Sequence, residues 1–151
     1  MLVRRHLLLT GAALLALAPS RAATPPIAIK VYKDPSCGCC TAWVERLEAA
    51  GFKATVEESA DMAAIKTKLS VPDDLTSCHT GFVAGYAIEG HVPPADIKRL
   101  LKEMPKAAGL AVPGMPVNSP GMEVADAPHE RYTVWLFSSD GKRTAFAKHG
   151  A

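Results

Sequence analysis

Ile27-Ala28-Ile29-Lys30-Val31-Tyr32-Lys33-Asp34-Pro35-Ser36-Cys37-Gly38-Cys39-Cys40-Thr41-Ala42-Trp43-Val44-Glu45-Arg46-Leu47 is the stretch on which the fold turns. Ile27 to Tyr32 is β-branched and apolar enough to be a strand. Asp34-Pro35-Ser36 then turns the chain. Cys40, Trp43, Val44 and Leu47 recur at helical spacing and mark one buried face, with Gly51 ending the helix. Three of the four cysteines, Cys37, Cys39 and Cys40, therefore stand at the start of a helix just after a strand. The fourth, Cys78, lies far along the chain beside His79.

Working outward, Phe52 to Val56 gives a second, weaker strand. Met62, Ile65 and Leu69 mark a second helix, with Ser59 or Asp61 available as its cap and Pro72 beyond its end. Phe82-Val83-Ala84 and Tyr86-Ala87-Ile88 flank Gly85 as a hairpin or one bent strand. Pro93-Pro94 start a third helix whose buried stripe is Ile97, Leu100, Leu101 and Met104, and Pro105 ends it. The order β-α-β-α-β-β-α is the thioredoxin pattern, and Cys37-x-x-Cys40 occupies its redox junction. The chain then departs from that small fold. Residues 105–130 carry five prolines (105, 113, 116, 120, 128) and read as a long loop without regular structure. Tyr132 to Phe137, a turn at Asp140-Gly141, and Thr144 to Ala147 make a final hairpin. The expectation is an α/β protein: a thioredoxin-like core over 23–104 and a C-terminal extension over 105–151, both within one compact domain.

Residues 1–22 read as a cleaved export signal: Arg4-Arg5, an apolar stretch from Leu7 to Ala18, and small residues around Ala22. The paired arginines fit either an ordinary or a twin-arginine signal. The apolar stretch is short for a bilayer span, so no stable membrane insertion is expected. Removing Arg4, Arg5 and Arg21 turns the formal charge from +2 to −1. A near-neutral chain without a basic run argues against nucleic acid as partner. Export implies an oxidising compartment, where cysteines are paired, cycled by redox partners or capped by metal.

Sulfurs as close as Cys37, Cys39 and Cys40 cannot each staple a different loop, because every disulfide needs a partner at its own fixed geometry. Two chemistries remain: dithiol exchange and soft-metal binding. Cys37 and Cys40 are one helical turn apart and suffice for exchange; the extra Cys39 does not help it, but thiolate sulfur can bridge two soft ions. The bland alternative is two ordinary disulfides among four cysteines. Pro-Gly-Met occurs twice in the long loop, at 113–115 and 120–122. Pro-Gly suits the centre of a type II turn, which would present Met115 and Met122 at the exits. Each methionine is either an apolar plug or a thioether ligand. Met62 and Met104, on helical stripes, read as core, as does Trp43; Lys33 and Asp34 read as surface charge. His79 gains weight from its neighbour Cys78, whereas His91, His129 and His149 have no pattern that requires them at a site.

The segments Cys37-Gly38-Cys39-Cys40-Thr41-Ala42-Trp43, Ser77-Cys78-His79-Thr80, Gly85-Tyr86, Glu89-Gly90-His91-Val92-Pro93, Gly109-Leu110-Ala111-Val112-Pro113-Gly114-Met115-Pro116 and Ser119-Pro120-Gly121-Met122-Glu123 resemble the CopG-type periplasmic copper-resistance proteins. The resemblance runs from Ile27 to His149. It implies a thioredoxin-like domain with an extension, copper held beside the CxCC motif by bridging cysteine sulfurs, and a role in Cu(I)/Cu(II) handling. On that basis the expected ligands are Cys37, Cys39, Cys40 and Cys78, completed by His79, Met115 and Met122. The expected partners are copper ions and copper-efflux components, and the expected state is a periplasmic monomer. The rival is a thiol–disulfide oxidoreductase in which Cys37 attacks and Cys40 resolves. A zinc or iron–sulfur protein would use the cysteines equally well but leaves the loop methionines without a purpose.

Overall fold

The computed structural model describes residues 25–150; the expected export signal lies outside the described residues. The chain runs β1 (Ile27–Lys33), α1 (Gly38–Ala49), β2 (Phe52–Glu58), α2 (Met62–Lys68), a 3-10 turn (Asp73–Leu75), β3 (His79–Val83), β4 (Tyr86–Glu89), α3 (Pro94–Glu103), β5 (Gly109–Ala111), β6 (Tyr132–Phe137) and β7 (Arg143–His149). The strands form one seven-stranded sheet in the order β2-β1-β3-β4-β5-β6-β7. β1 pairs with β2 and β4 with β5 in parallel, and the remaining pairs are antiparallel. The α/β class is as expected.

Alternation along the central strands sends side chains to both faces, and each face is covered. Ile88, Leu110 and Val134 join Trp43, Val44 and Leu47 of α1 and Ile97 and Leu100 of α3 in the larger core. Their neighbours Ala87, Ala111 and Phe137 pack against Val71 and Leu75 on the other side. Strands of the first half and of the extension thus share one sheet and one core.

Three expectations are corrected. The long loop contains β5, which lies between β4 and β6. Three residues are too short for a periodic signal. Gly109 is required there because a Cβ would fall 1.9 Å from the Ala87 carbonyl oxygen. Met104, expected on the buried stripe of α3, is 73% exposed. Pro105 disfavours right-handed helix in the residue before it, and Met104 takes a left-handed φ of 47° that turns it outward. Lys33, expected as surface charge, is buried, its amine donating to the Asp34 carbonyl and paired with Glu58. Of the two candidate caps of α2, Asp61 is the one used: its carboxylate accepts from the Ala64 amide at 3.0 Å, while Ser59 Oγ accepts from the Asp61 amide at 3.1 Å ahead of the helix.

Candidate metal centre

The CxCC segment is set by a turn that Asp34 ties. Its carboxylate accepts from the Ser36 amide at 2.8 Å, its carbonyl accepts from the Cys37 amide at 3.0 Å, and Cys37 becomes the N-cap of α1. Trp43 is fully buried one turn on, donating its indole N–H to the Val92 carbonyl at 2.9 Å. That bond holds the start of α1 against the strand-to-helix segment carrying His91. Cys37 and Cys40 are joined in a disulfide, and Cys39 and Cys78 are free. In this state two of the four expected thiolates are therefore not thiolates.

Cys39 Sγ lies 3.5 Å from Cys37 Sγ, 3.8 Å from Cys78 Sγ and 4.0 Å from Met115 Sδ. Cys78 Sγ in turn lies 3.3 Å from His79 Nδ1 and 3.3 Å from His91 Nε2. Two clusters of potential ligand atoms result, Cys37/Cys39/Cys40/Cys78 and Cys78/His79/His91, each with its atoms within 4.8 Å of one another. Cys78 belongs to both.

The histidines are held as neutral donors. His91 Nδ1 donates to the Pro120 carbonyl at 2.9 Å, which leaves the Nε2 lone pair facing Cys78. His79 packs its ring 4.3 Å from Trp43 and 4.9 Å from His91, and its Nε2 is buried without a hydrogen-bond partner among the described residues. Burial is the main cause holding both histidines below the ordinary imidazole range; the neighbouring His91 and then Lys66 add to it for His79. Burial, and then the Cys39 charge, push the Cys78 thiol up to about 11. Without metal Cys78 is a protonated thiol, and a metal must displace that proton to bind it.

The two Pro-Gly-Met segments form the roof. Gly114 and Gly121 take φ of 70° and 86°, as the second central position of a type II turn requires. The second turn closes with the Met122 amide donating to the Ser119 carbonyl at 2.8 Å. It lies directly on α1: a Cβ on Gly121 would come 2.6 Å from the Trp43 amide nitrogen. The first turn is tied by Ser77 Oγ donating to the Gly114 carbonyl at 2.5 Å. Of the two methionines only Met115 has a sulfur contact with the cysteines among the described residues, and it is half exposed at the mouth; Met122 is half-buried.

His91 is thus brought to the cluster although its sequence position gave it no special weight. Only the Glu-Gly-His-Val-Pro run pointed to it. His149 is drawn elsewhere, bonded to Asp96 at 2.6 Å and stacked on Tyr132, and His129 is exposed. Sequence reasoning also missed a buried trio beneath the site, Lys66, Thr80 and Glu89. Nothing local in the sequence marks this lysine and glutamate as buried partners.

Two solved structures of copper resistance protein CopG, form 1 and form 2, are 47% and 48% identical to the chain, each with a TM-score of 0.78. They cover 83% and 82% of this chain and 99% and 98% of their own. This chain belongs to the CopG family. The family model DUF411, described as a protein of unknown function, matches residues 75–122, the CopG segment holding Cys78, both site histidines and both Pro-Gly-Met turns. No curated protein matches the chain. Among the described residues no helix is long and apolar enough to cross a membrane.

Proposed function

We propose that this chain is an exported periplasmic copper-binding protein of copper resistance, buffering or interconverting Cu(I) and Cu(II) at a cysteine-bridged site. The observation that carries the reading is the place of Cys78 in two ligand clusters at once, one of sulfur and one of imidazole. Thiolate and thioether select Cu(I), while imidazole also suits Cu(II), so a site offering both can keep the metal through a change of oxidation state. The one-sided tautomer of His91, its Nδ1–H committed to the Pro120 carbonyl and its Nε2 lone pair turned to Cys78, fits a donor kept for a metal.

In this reading Cys37, Cys39, Cys40 and Cys78 are the thiolates, and His79 and His91 the imidazoles. Met115 is the thioether at the mouth, with Met122 in the adjoining turn. The Cys37–Cys40 disulfide must first take up two electrons and two protons from an external reductant. Bound copper then passes to efflux components from a monomer whose extension forms part of the same compact domain. The β1-α1-β2 unit followed by the β3-β4 hairpin and α3 supports a thioredoxin-like description of that core.

The disulfide itself favours a second reading, a thiol–disulfide oxidoreductase using Cys37 and Cys40. Copper titration of the reduced protein against Cys39→Ser separates the two. Exchange needs only Cys37 and Cys40, so under the rival Cys39→Ser reduces insulin disulfides as wild type does. Under the copper reading it loses metal or changes its thiolate-to-copper absorption. Wild-type copper content and spectrum in Cys39→Ser would remove Cys39 from the site. A reduced wild type that binds no copper but reduces insulin would establish the rival.

A further inference from the structure

Beneath the cluster lies a carboxylate that no solvent reaches. Glu89 is fully buried, and both its oxygens are used. Oε1 accepts from the Ser77 amide at 2.6 Å and from Lys66 Nζ at 2.5 Å; Oε2 accepts from the Thr80 hydroxyl at 2.6 Å. Lys66 Nζ also donates to Thr80 Oγ1 at 3.0 Å, which closes the ring of three side chains. A buried ion pair adds little stability, because desolvation offsets its attraction and apolar residues of similar volume do as well or better. What such a pair does supply is a fixed geometry.

That geometry falls where the ligand-bearing segments cross. Thr80 and Glu89 are directly opposed on β3 and β4. The Ser77 amide held by the carboxylate immediately precedes Cys78, and the Glu89 backbone leads through Gly90 to His91. The Glu89 carbonyl also accepts from the Val112 amide at 3.0 Å, at the root of the turn that presents Met115. Gly90 is crossed so closely that a Cβ would lie 2.4 Å from the Val112 carbonyl oxygen. One residue therefore touches the supports of Cys78, His91 and Met115 without reaching the cluster itself.

The geometry points to Glu89, locked by Lys66 and Thr80, as the positioning residue of the centre: its carboxylate fixes Cys78 between the two histidines and against Cys39. This rests on the copper reading above. Outer-shell partners that orient ligands are worth about 10- to 100-fold in metal affinity. The double variant Glu89→Gln, Lys66→Met removes both charges and keeps the volume, so the fold is retained while the carboxylate's grip on Ser77 and Thr80 is loosened.

The test is a Cu(I) competition titration and an absorption spectrum of the reduced full chain, well below its melting temperature. Wild type, the double variant, Thr80→Val and Cys78→Ser are compared, each with a thermal melt. The expected result is a folded double variant with a shifted thiolate-to-copper band and about 10- to 100-fold weaker Cu(I) binding. Thr80→Val should shift in the same direction. A folded double variant with wild-type affinity and spectrum would overturn the proposal and leave the trio a purely structural pair. Should the double variant not fold, Thr80→Val decides by the same two outcomes. If wild type and Cys78→Ser take up copper alike, it is the copper reading that fails, and the titration shows this separately.

Discussion

Cys78 Sγ faces His79 Nδ1 and His91 Nε2, and burial keeps both rings neutral in the fold. This sets a pH dependence whose sign follows from linkage. A histidine whose folded pKa lies below its ordinary value of 6.5 binds protons more readily in the unfolded chain. Stability is therefore full above pH 6.5 and falls as the pH drops below it toward the folded values. Thermal melts of the copper-free protein should be level above pH 6.5 and decline below it, before the carboxylates titrate. His91→Gln should shallow the decline, and an equal decline in that variant would assign the effect elsewhere. At this scale the sequence was partly legible. Cys37, Cys39 and Cys40 announce themselves because four consecutive residues on one helix start must share a neighbourhood. His91 and Glu89 do not, because nothing local distinguishes a buried, partnered histidine or glutamate from a solvated one.

Among the elements, the second Pro-Gly-Met turn is the most exacting. Gly121 combines a φ of 86° with a Cβ position 2.6 Å from the Trp43 amide nitrogen, so alanine there meets both backbone strain and backbone contact. Gly114 has a φ of 70° but nothing within 4 Å, so alanine there meets only the strain of about 1–2 kcal/mol. Gly121→Ala should therefore cost clearly more stability than Gly114→Ala. It should also lift the turn from α1, withdraw the Pro120 carbonyl from His91 and speed proteolysis between residues 109 and 130. Chemical denaturation and limited proteolysis of the two variants check this. Equal costs, with equal cleavage, would mean that the roof does not rest on α1. The repeated tripeptide was readable as two turns, since Pro and Gly each fix a backbone preference. That one turn seats on a helix while the other hangs from Ser77 was not, because the seats are supplied by residues remote in sequence.

On the scale of the whole molecule, ligand atoms come from α1, the Cys78–His79 start of β3, the β4–α3 junction and the loop after β5. The unfolded chain cannot bring these together, so copper binds the folded state preferentially. At free copper a hundredfold above the dissociation constant, the fold should gain about 2.7 kcal/mol. That raises the melting temperature of the reduced, loaded protein by roughly 5–15 °C over the reduced apo form. An unchanged melting temperature under these conditions would mean that the metal also binds the unfolded cysteines, or that the site is not assembled as described.

The sequence by itself determined the local grammar of this protein. The strand–turn–helix with its CxCC cap, the other two helices, the final hairpin and the paired Pro-Gly turns all follow from local sequence chemistry, whereas Phe82 to Ile88 read equally as a hairpin or one bent strand. Tertiary structure alone decided three things. It placed three-residue β5 in the middle of the sheet, where pairing on both sides replaces length as the source of strand stability. It paired Cys37 with Cys40 and left Cys39 beside Cys78. It put His91 into the cluster and the buried Glu89–Lys66 pair beneath it, because burial and charge pairing depend on what the rest of the chain packs around a residue.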